Sequence, residues 1–190
     1  MADDLRGEPQ AVQLVEAWHT NNRINLLIID GISDEGLKAS LSARGGRDVA
    51  RQFAHLHNVR VYSLEQRAKE LVGDLTKFES KYSPTRDELK EALNASAEAI
   101  ATFLTDLLEG KPKRRAMRKG FFTNFAYYIA HESHHRGSIM LTLKETGHMP
   151  HKDVSYGTWG GTSAELASVG LRADPTGRTL VRYHAGVVNP

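Results

Sequence analysis

Four long segments with helical periodicity dominate the chain and constrain its fold more than any other feature. In each segment, apolar residues recur every three or four positions, a spacing that places them on one face of a helix. Glycine or proline separates consecutive segments, where helices tend to end. The predicted helices cover residues 12–32, 47–71, 85–110 and 120–146 of the 190. Helices of this length and number predict an all-α protein, an up-down four-helix bundle.

The boundaries of the helices suggest how the chain is divided. Thr85 is followed three residues later by Glu88, which predicts a capping box at the start of the third helix. Residues 33–36 are predicted to form a turn, and residues 36–46 a loose connection. After Pro150 the chain is rich in glycine and lacks a long periodic run. We therefore expect a bundle domain over 1–150 and an irregular C-terminal extension over 151–190 that packs on it, with a short strand at 178–183.

Composition removes several classes of function. The chain has no cysteine, so disulfides, thiolate ligands and a cysteine nucleophile are excluded. Its formal net charge of +2 argues against general nucleic-acid binding. The basic run at 111–119 is predicted to be a solvated loop. No run of about 18 apolar residues is present that could span a bilayer, and the N-terminus has no apolar signal segment. We predict a cytoplasmic protein without membrane contact.

The stretch AHESHHRG, residues 130–137, is the clearest chemical feature of the fourth helix. His131 and His135 are four residues apart, so their rings project from successive turns of one face, as two nitrogen ligands of one metal would. His134 points about 100° away from His135 and is a poor candidate. The pair continues a polar strip that suggests a lined cavity. The strip consists of Asn124, Tyr128, His131, His135, Ser138 and Thr142.

An apolar arc beside this strip is expected to face the core. Glu132 falls within the arc, where a carboxylate is costly without a partner. The stretch also matches H-E-x-x-H, in which Glu132 would be the general base of a zinc protease. The metzincin form would need glycine at Ser138 and histidine at Leu141, and Glu165 lies in a tail with weak helical signal, so this interpretation is not favoured. The arc consists of Phe121, Phe122, Phe125, Ile129, Ile139, Met140 and Leu143.

The second helix offers the third nitrogen ligand of an open metal site. His55 and His57 lie about 200° apart around the helix, so at most one can face the pair on the fourth helix. The helical wheel does not choose between them. His19 and Asn22 on the first helix are candidates for lining the same cavity. Arg60 and Glu65 are candidates for supporting the metal ligands, although surface salt bridges are expected for both. Arg136 is expected to have an outer structural role.

Three stretches together resemble the DinB/YfiT-like family of metal-dependent enzymes. They are FAHLHNVR on the second helix, HESHHRGS on the fourth, and LKETGHMP at the end of the fourth. The resemblance covers about residues 10–150. It implies that His55, His131 and His135 are the metal ligands, with His57 as the fallback for the first. The chain departs from the family pattern at Ser138, where glutamine is usual, and in its longer tail.

The resemblance implies a four-helix bundle with a divalent metal, nickel or zinc, held by three histidines and open to solvent. It also implies a hydrolase or a thiol-dependent S-transferase that acts on a small molecule, and a homodimer. Because the chain has no cysteine, a thiol would have to be a low-molecular-weight cosubstrate. The alternative is a non-catalytic metal- or ligand-binding bundle. A structural site is closed by a fourth protein ligand, whereas a catalytic site keeps an open position.

Overall fold

The computed structural model describes residues 9–42, 46–158, 171–173 and 179–181. The four long helices are α1 (Gln10–Gly31), α3 (Val49–Arg67), α4 (Arg86–Leu108) and α5 (Phe121–Glu145). They form an all-α four-helix bundle, which confirms the predicted fold class. Between and after them lie α2 (Asp34–Leu37), a 3-10 turn (Lys69–Leu71), α6 (Lys152–Gly157), and two antiparallel strands, β1 (Leu171–Ala173) and β2 (Thr179–Val181).

Side-chain caps determine where several helices begin. The hydroxyl of Thr85 accepts a hydrogen bond from the backbone N–H of Glu88, and the Glu88 carboxylate accepts one from Thr85 N–H, so the predicted capping box is confirmed. Asp48 caps α3 in a similar way. The predicted turn at 33–36 is instead the start of α2. The Ser33 hydroxyl accepts from Gly36 N–H, and this bond is enough to start one helical turn.

Contacts between helices define their order and direction. Around the bundle the order is α1, α4, α3 and α5, with α1 and α5 again in contact. α1 is antiparallel to α4, and α3 is antiparallel to α5, but α3 and α4 run in the same direction. The segment 68–85 therefore returns along the bundle instead of making a tight turn, and the predicted up-down order does not hold between α3 and α4. The pairs that establish these directions are Trp18–Ala97, Asp30–Lys90, His57–Ala92, Arg60–Ser96, His55–His135 and Ser63–Tyr128.

The core has two apolar clusters with a polar layer between them. Ile28, Phe53 and Leu143 belong to the first cluster, and Trp18 and Phe103 to the second. Each long helix has at least one buried polar residue between the positions that contribute to the two clusters. We call this set the waist layer. It consists of Asn21, Asn22, Asn25, Arg60, Ser96 and Glu132, all buried.

The buried face of α5 differs from the predicted one. Phe122 was expected in the core but is 68% exposed, whereas Asn124 and Tyr128 of the polar strip are buried. Phe121, Phe125 and Ile129 are only partly buried at the edge of the second cluster. The predicted arc is confirmed at Ile139 and Leu143, which are both buried, and is wrong at Phe122. Hydrogen-bonding partners on the other helices allow α5 to turn its polar strip inward.

The tail contacts the bundle through α6. Val154 is 2% exposed. A Cβ added to Gly31 would lie only 2.7 Å from the Cγ2 atom of Val154. Glycine at this position therefore lets α6 approach α1 closely. β2 lies within the stretch predicted to contain a strand. Most of the rest of the predicted extension, including Glu165, lies outside the described residues, and the domain boundary at 150 stays a prediction.

The basic run at 111–119 is partly neutralised by acidic neighbours. Lys111 lies 2.7 Å from Asp106 and 3.0 Å from Glu109. Arg114 contacts Asp106 at 2.6 Å and also pairs with Glu70. These ion pairs favour a structural loop over a nucleic-acid surface. In the described part of the chain, no helix is long and apolar enough to cross a membrane.

Candidate metal centre

Three histidines from two antiparallel helices meet on one side of the bundle. α3 contributes His55, and α5 contributes His131 and His135. The ring centroids are 5.4 Å apart for His55 and His131, 4.7 Å for His55 and His135, and 4.6 Å for the pair on α5. One ring nitrogen from each residue lies within 4.8 Å of the other two. All three side chains are half-buried, so solvent reaches the cluster, which we call the histidine triad.

His57, the other candidate on α3, lies on the far side of the helix. It is 1% exposed, and its ring nitrogens are each 2.9 Å from a backbone carbonyl, of Ala92 at Nδ1 and of Thr76 at Nε2. Its ring also packs edge-on against Phe78. The structure therefore brings His55, and not His57, to the pair on α5, since the two rings point about 200° apart.

The surroundings keep the histidine triad uncharged. Burial, followed by the Arg47 guanidinium, lowers the pKa of His55 from 6.5 to about 4. Burial and the neighbouring rings of His131 and His55 lower the pKa of His135 to about 4. Burial also lowers the pKa of His131. A neutral imidazole is the form that binds a metal, so the donor set fits a divalent first-row ion such as nickel or zinc.

Glu132, next to His131, points into the waist layer. Its carboxylate accepts hydrogen bonds from Arg60 Nε at 2.7 Å and Nη2 at 2.9 Å. The side-chain amides of Asn21 and Asn25 donate to Oε2 at 2.6 and 2.8 Å. Burial alone would raise the pKa of this carboxyl, but Arg60 and the amide of Asn25 hold it below its ordinary range. Glu132 is therefore a buried anion, and this placement does not favour the H-E-x-x-H role of general base.

Arg60 and Arg136 were expected on the outside, and both expectations were wrong. Arg60 is 1% exposed and donates to Leu93 O at 2.8 Å as well as to Glu132. Arg136 is half-buried and donates to Asn25 Oδ1 at 3.0 Å. The physical reason is that the buried carboxylate requires cations beside it. The predicted surface salt bridge of Glu65 is confirmed, with Lys77 at 2.7 Å.

Of the other residues that were predicted to line the metal site, one lines a cavity beside it, and the rest pack elsewhere in the bundle. Ser138 lines a cavity beside His135. Tyr128 is buried against Trp18 and hydrogen-bonded to Ser63. Asn124 is buried and accepts a hydrogen bond from Met117 N–H. His19 lies 3.6 Å from Glu98 on α4, and Asn22 belongs to the waist layer.

Two features beside the histidine triad were missed from the sequence. Tyr127 stacks on His131, with ring centroids 5.6 Å apart; its position four residues before His131 was an available signal. A cavity of about 290 Å³ also adjoins His135. Four of its ten lining residues belong to the connection that was predicted to be loose, and periodicity carries no signal for such a segment. The cavity is lined by Ser40, Leu41, Ser42, Gly46, Arg47, Gln52, His134, His135, Ser138 and Thr142.

The fold and the histidine triad together define a four-helix-bundle protein with a candidate three-histidine metal site. The sequence model of the DinB family matches residues 1–159. The chain therefore belongs to the DinB family. Comparisons with curated proteins and with solved structures gave no significant match.

Proposed function

We propose that this chain is a metal-dependent enzyme acting on a small molecule, with His55, His131 and His135 holding one divalent ion. The observation that carries the proposal is the convergence of three ring nitrogens within 4.8 Å of one another. Among the described residues, no fourth histidine or carboxylate joins this group. Three ligands with solvent access are typical of catalytic sites, whereas structural sites have four protein ligands. This favours an enzyme over a non-catalytic metal-binding bundle.

The reaction we propose is hydrolysis or thiol-dependent S-transfer. A bound divalent ion lowers the pKa of a water or thiol so that a nucleophile is available near neutral pH. The waist layer orients α5 and so positions His131 and His135 relative to His55. A thiol would enter as a low-molecular-weight cosubstrate because the chain has no cysteine. Nickel and zinc both suit imidazole ligands.

Three further properties stay predictions. A homodimer is expected and can be measured by light scattering after size-exclusion chromatography. A cytoplasmic location is expected and can be measured by cell fractionation. The division into a bundle over 1–150 and an extension over 151–190 predicts that the chain truncated after Pro150 keeps its helical circular dichroism spectrum.

Metal content measured by elemental analysis tests the ligand assignment. We expect purified wild-type protein to hold about one equivalent of metal, and His55→Ala, His131→Ala and His135→Ala each to lose it while keeping the helical circular dichroism spectrum. His134→Ala is the matched control, because His134 is exposed on the same turn of α5. Full metal content in all three ligand variants would contradict the proposal. Loss in His57→Ala but not in His55→Ala would move the ligand on α3 to His57.

Activity assays then separate the two reactions from the non-catalytic alternative. Protein reconstituted with zinc or nickel would be tested with small electrophiles in the presence and absence of thiols, and with small esters and amides alone. Turnover that needs a thiol supports S-transfer, and turnover without one supports hydrolysis. Metal bound by the histidine triad with no turnover of any kind would favour a non-catalytic binding protein.

A further inference from the structure

The cavity beside His135 is placed to receive part of a molecule that reacts at the histidine triad. His135 belongs to both the triad and the cavity wall. The cavity wall also includes Arg47, just before the start of α3, and Gln52 in the first turn of α3. The Arg47 guanidinium is close enough to both His55 and His135 to lower their pKa values. A group in this cavity would therefore be adjacent to the reacting atoms.

The charge of the cavity wall distinguishes it from two other cavities of the described residues. Its lining includes Arg47 and no aspartate or glutamate. A cavity of about 590 Å³ near the start of α4 contains three aspartates beside its cations. A cavity of about 400 Å³ beside His57 contains three carboxylates. Of these three, only the cavity at the histidine triad has a cationic wall, so it favours an anion.

Two polar side chains in this wall have no partner within the described part of the protein. Gln52 is 8% exposed, and its amide forms no hydrogen bond with a described residue, so the amide is free to donate to a group in the cavity that it lines. Arg47 forms no ion pair with a described carboxylate. By contrast Arg51, one turn later, donates to Ser80 O at 2.7 Å. Guanidinium and amide donors facing one space are suited to carboxylate and phosphate oxygens.

We propose that this cavity binds the carboxylate or phosphate group of the small molecule that reacts at the histidine triad, through Arg47 and Gln52. The substrate class is therefore anionic. This inference rests on the proposed function for the role of the bound molecule. The binding of an anion by Arg47 and Gln52 does not itself require a metal.

The anion can belong to a thiol cosubstrate or to the other substrate, and two arms of one experiment separate these sources. The first arm compares 3-mercaptopropionate with 2-mercaptoethanol, which lacks the carboxylate, by calorimetry on zinc-loaded protein. The second arm measures inorganic phosphate binding to the metal-free protein by ³¹P NMR. Both arms use wild type, Arg47→Gln, Arg47→Lys and Gln52→Leu. Lys144→Met is the control, because Lys144 is an exposed cation on α5 outside the cavity.

If the thiol supplies the anion, 3-mercaptopropionate binds more tightly than 2-mercaptoethanol, and Arg47→Gln weakens only the former, by about tenfold. If the other substrate supplies it, the two thiols bind equally and phosphate binding weakens about tenfold in Arg47→Gln. In either case Arg47→Lys retains part of the affinity, Gln52→Leu loses part, and Lys144→Met matches wild type. No dependence on Arg47 in either arm overturns the inference. Failure to load zinc speaks only against the proposed function, because the phosphate arm needs no metal.

Discussion

Removing the carboxylate of Glu132 is the perturbation with the largest expected effect on stability. Glu132 is 2% exposed and Arg60 is 1% exposed. Their two hydrogen bonds, at 2.7 and 2.9 Å, pair the charges in a bidentate geometry. Glu132→Leu would leave the Arg60 guanidinium buried without its anion. Breaking a buried pair in this way costs about 3–5 kcal/mol, a large share of a typical unfolding free energy of about 5–15 kcal/mol.

A double-mutant cycle measures whether the two charges depend on each other. The variants are Glu132→Leu, Arg60→Met and the double variant, each unfolded in guanidinium chloride and followed by circular dichroism. We expect each single variant to lose about 3–5 kcal/mol and the double variant to lose no more than the worse single variant. The reason is that the double variant contains no unpaired charge at this position. If the slope of unfolding free energy against denaturant concentration (the m-value) is the same in all variants, shifts of the unfolding midpoint report changes in stability.

Two results would refute this reasoning. Additive losses, within about 0.5 kcal/mol, would mean that Glu132 and Arg60 act independently. An unchanged free energy of unfolding in Glu132→Leu would mean that the carboxylate is not structural, and the general-base role suggested by H-E-x-x-H would return. Glu132→Gln provides the matched comparison, because it keeps the shape of the side chain and removes only the charge.

Two smaller predictions concern pH and helix capping. Between pH 6.5 and about 4 the unfolded chain binds protons that His55 and His135 do not bind when folded, so the metal-free protein should lose stability as the pH falls through this window. Melting temperatures measured over a pH series check this. If the melting temperature of His55→Asn falls with pH as steeply as that of the wild type, the expectation is contradicted. Thr85→Ala removes one acceptor of the capping box and should cost about 1 kcal/mol in chemical unfolding; no measurable change would argue against a role for the cap.

The sequence predicted the parts of this protein that depend on one helix at a time. The four helices follow from local periodicity and breakers, and the start of α4 follows from the spacing of Thr85 and Glu88. The pairing of His131 with His135 also follows from local geometry, since residues four apart share a face of any helix. Such relations hold whatever the rest of the chain does.

Relations between helices were decided only by the tertiary structure. The wheel of α3 could not choose between His55 and His57, because the choice depends on how α3 is rotated toward α5. For the same reason Arg60 and Glu132 could not be paired from the sequence, although they lie side by side in the waist layer. The cavity that contains Arg47 is enclosed partly by a connection without periodicity and partly by α3 and α5. Local patterns are set by neighbours along the chain, whereas these contacts are set by the rotation and direction of whole helices, which the burial of the complete core determines.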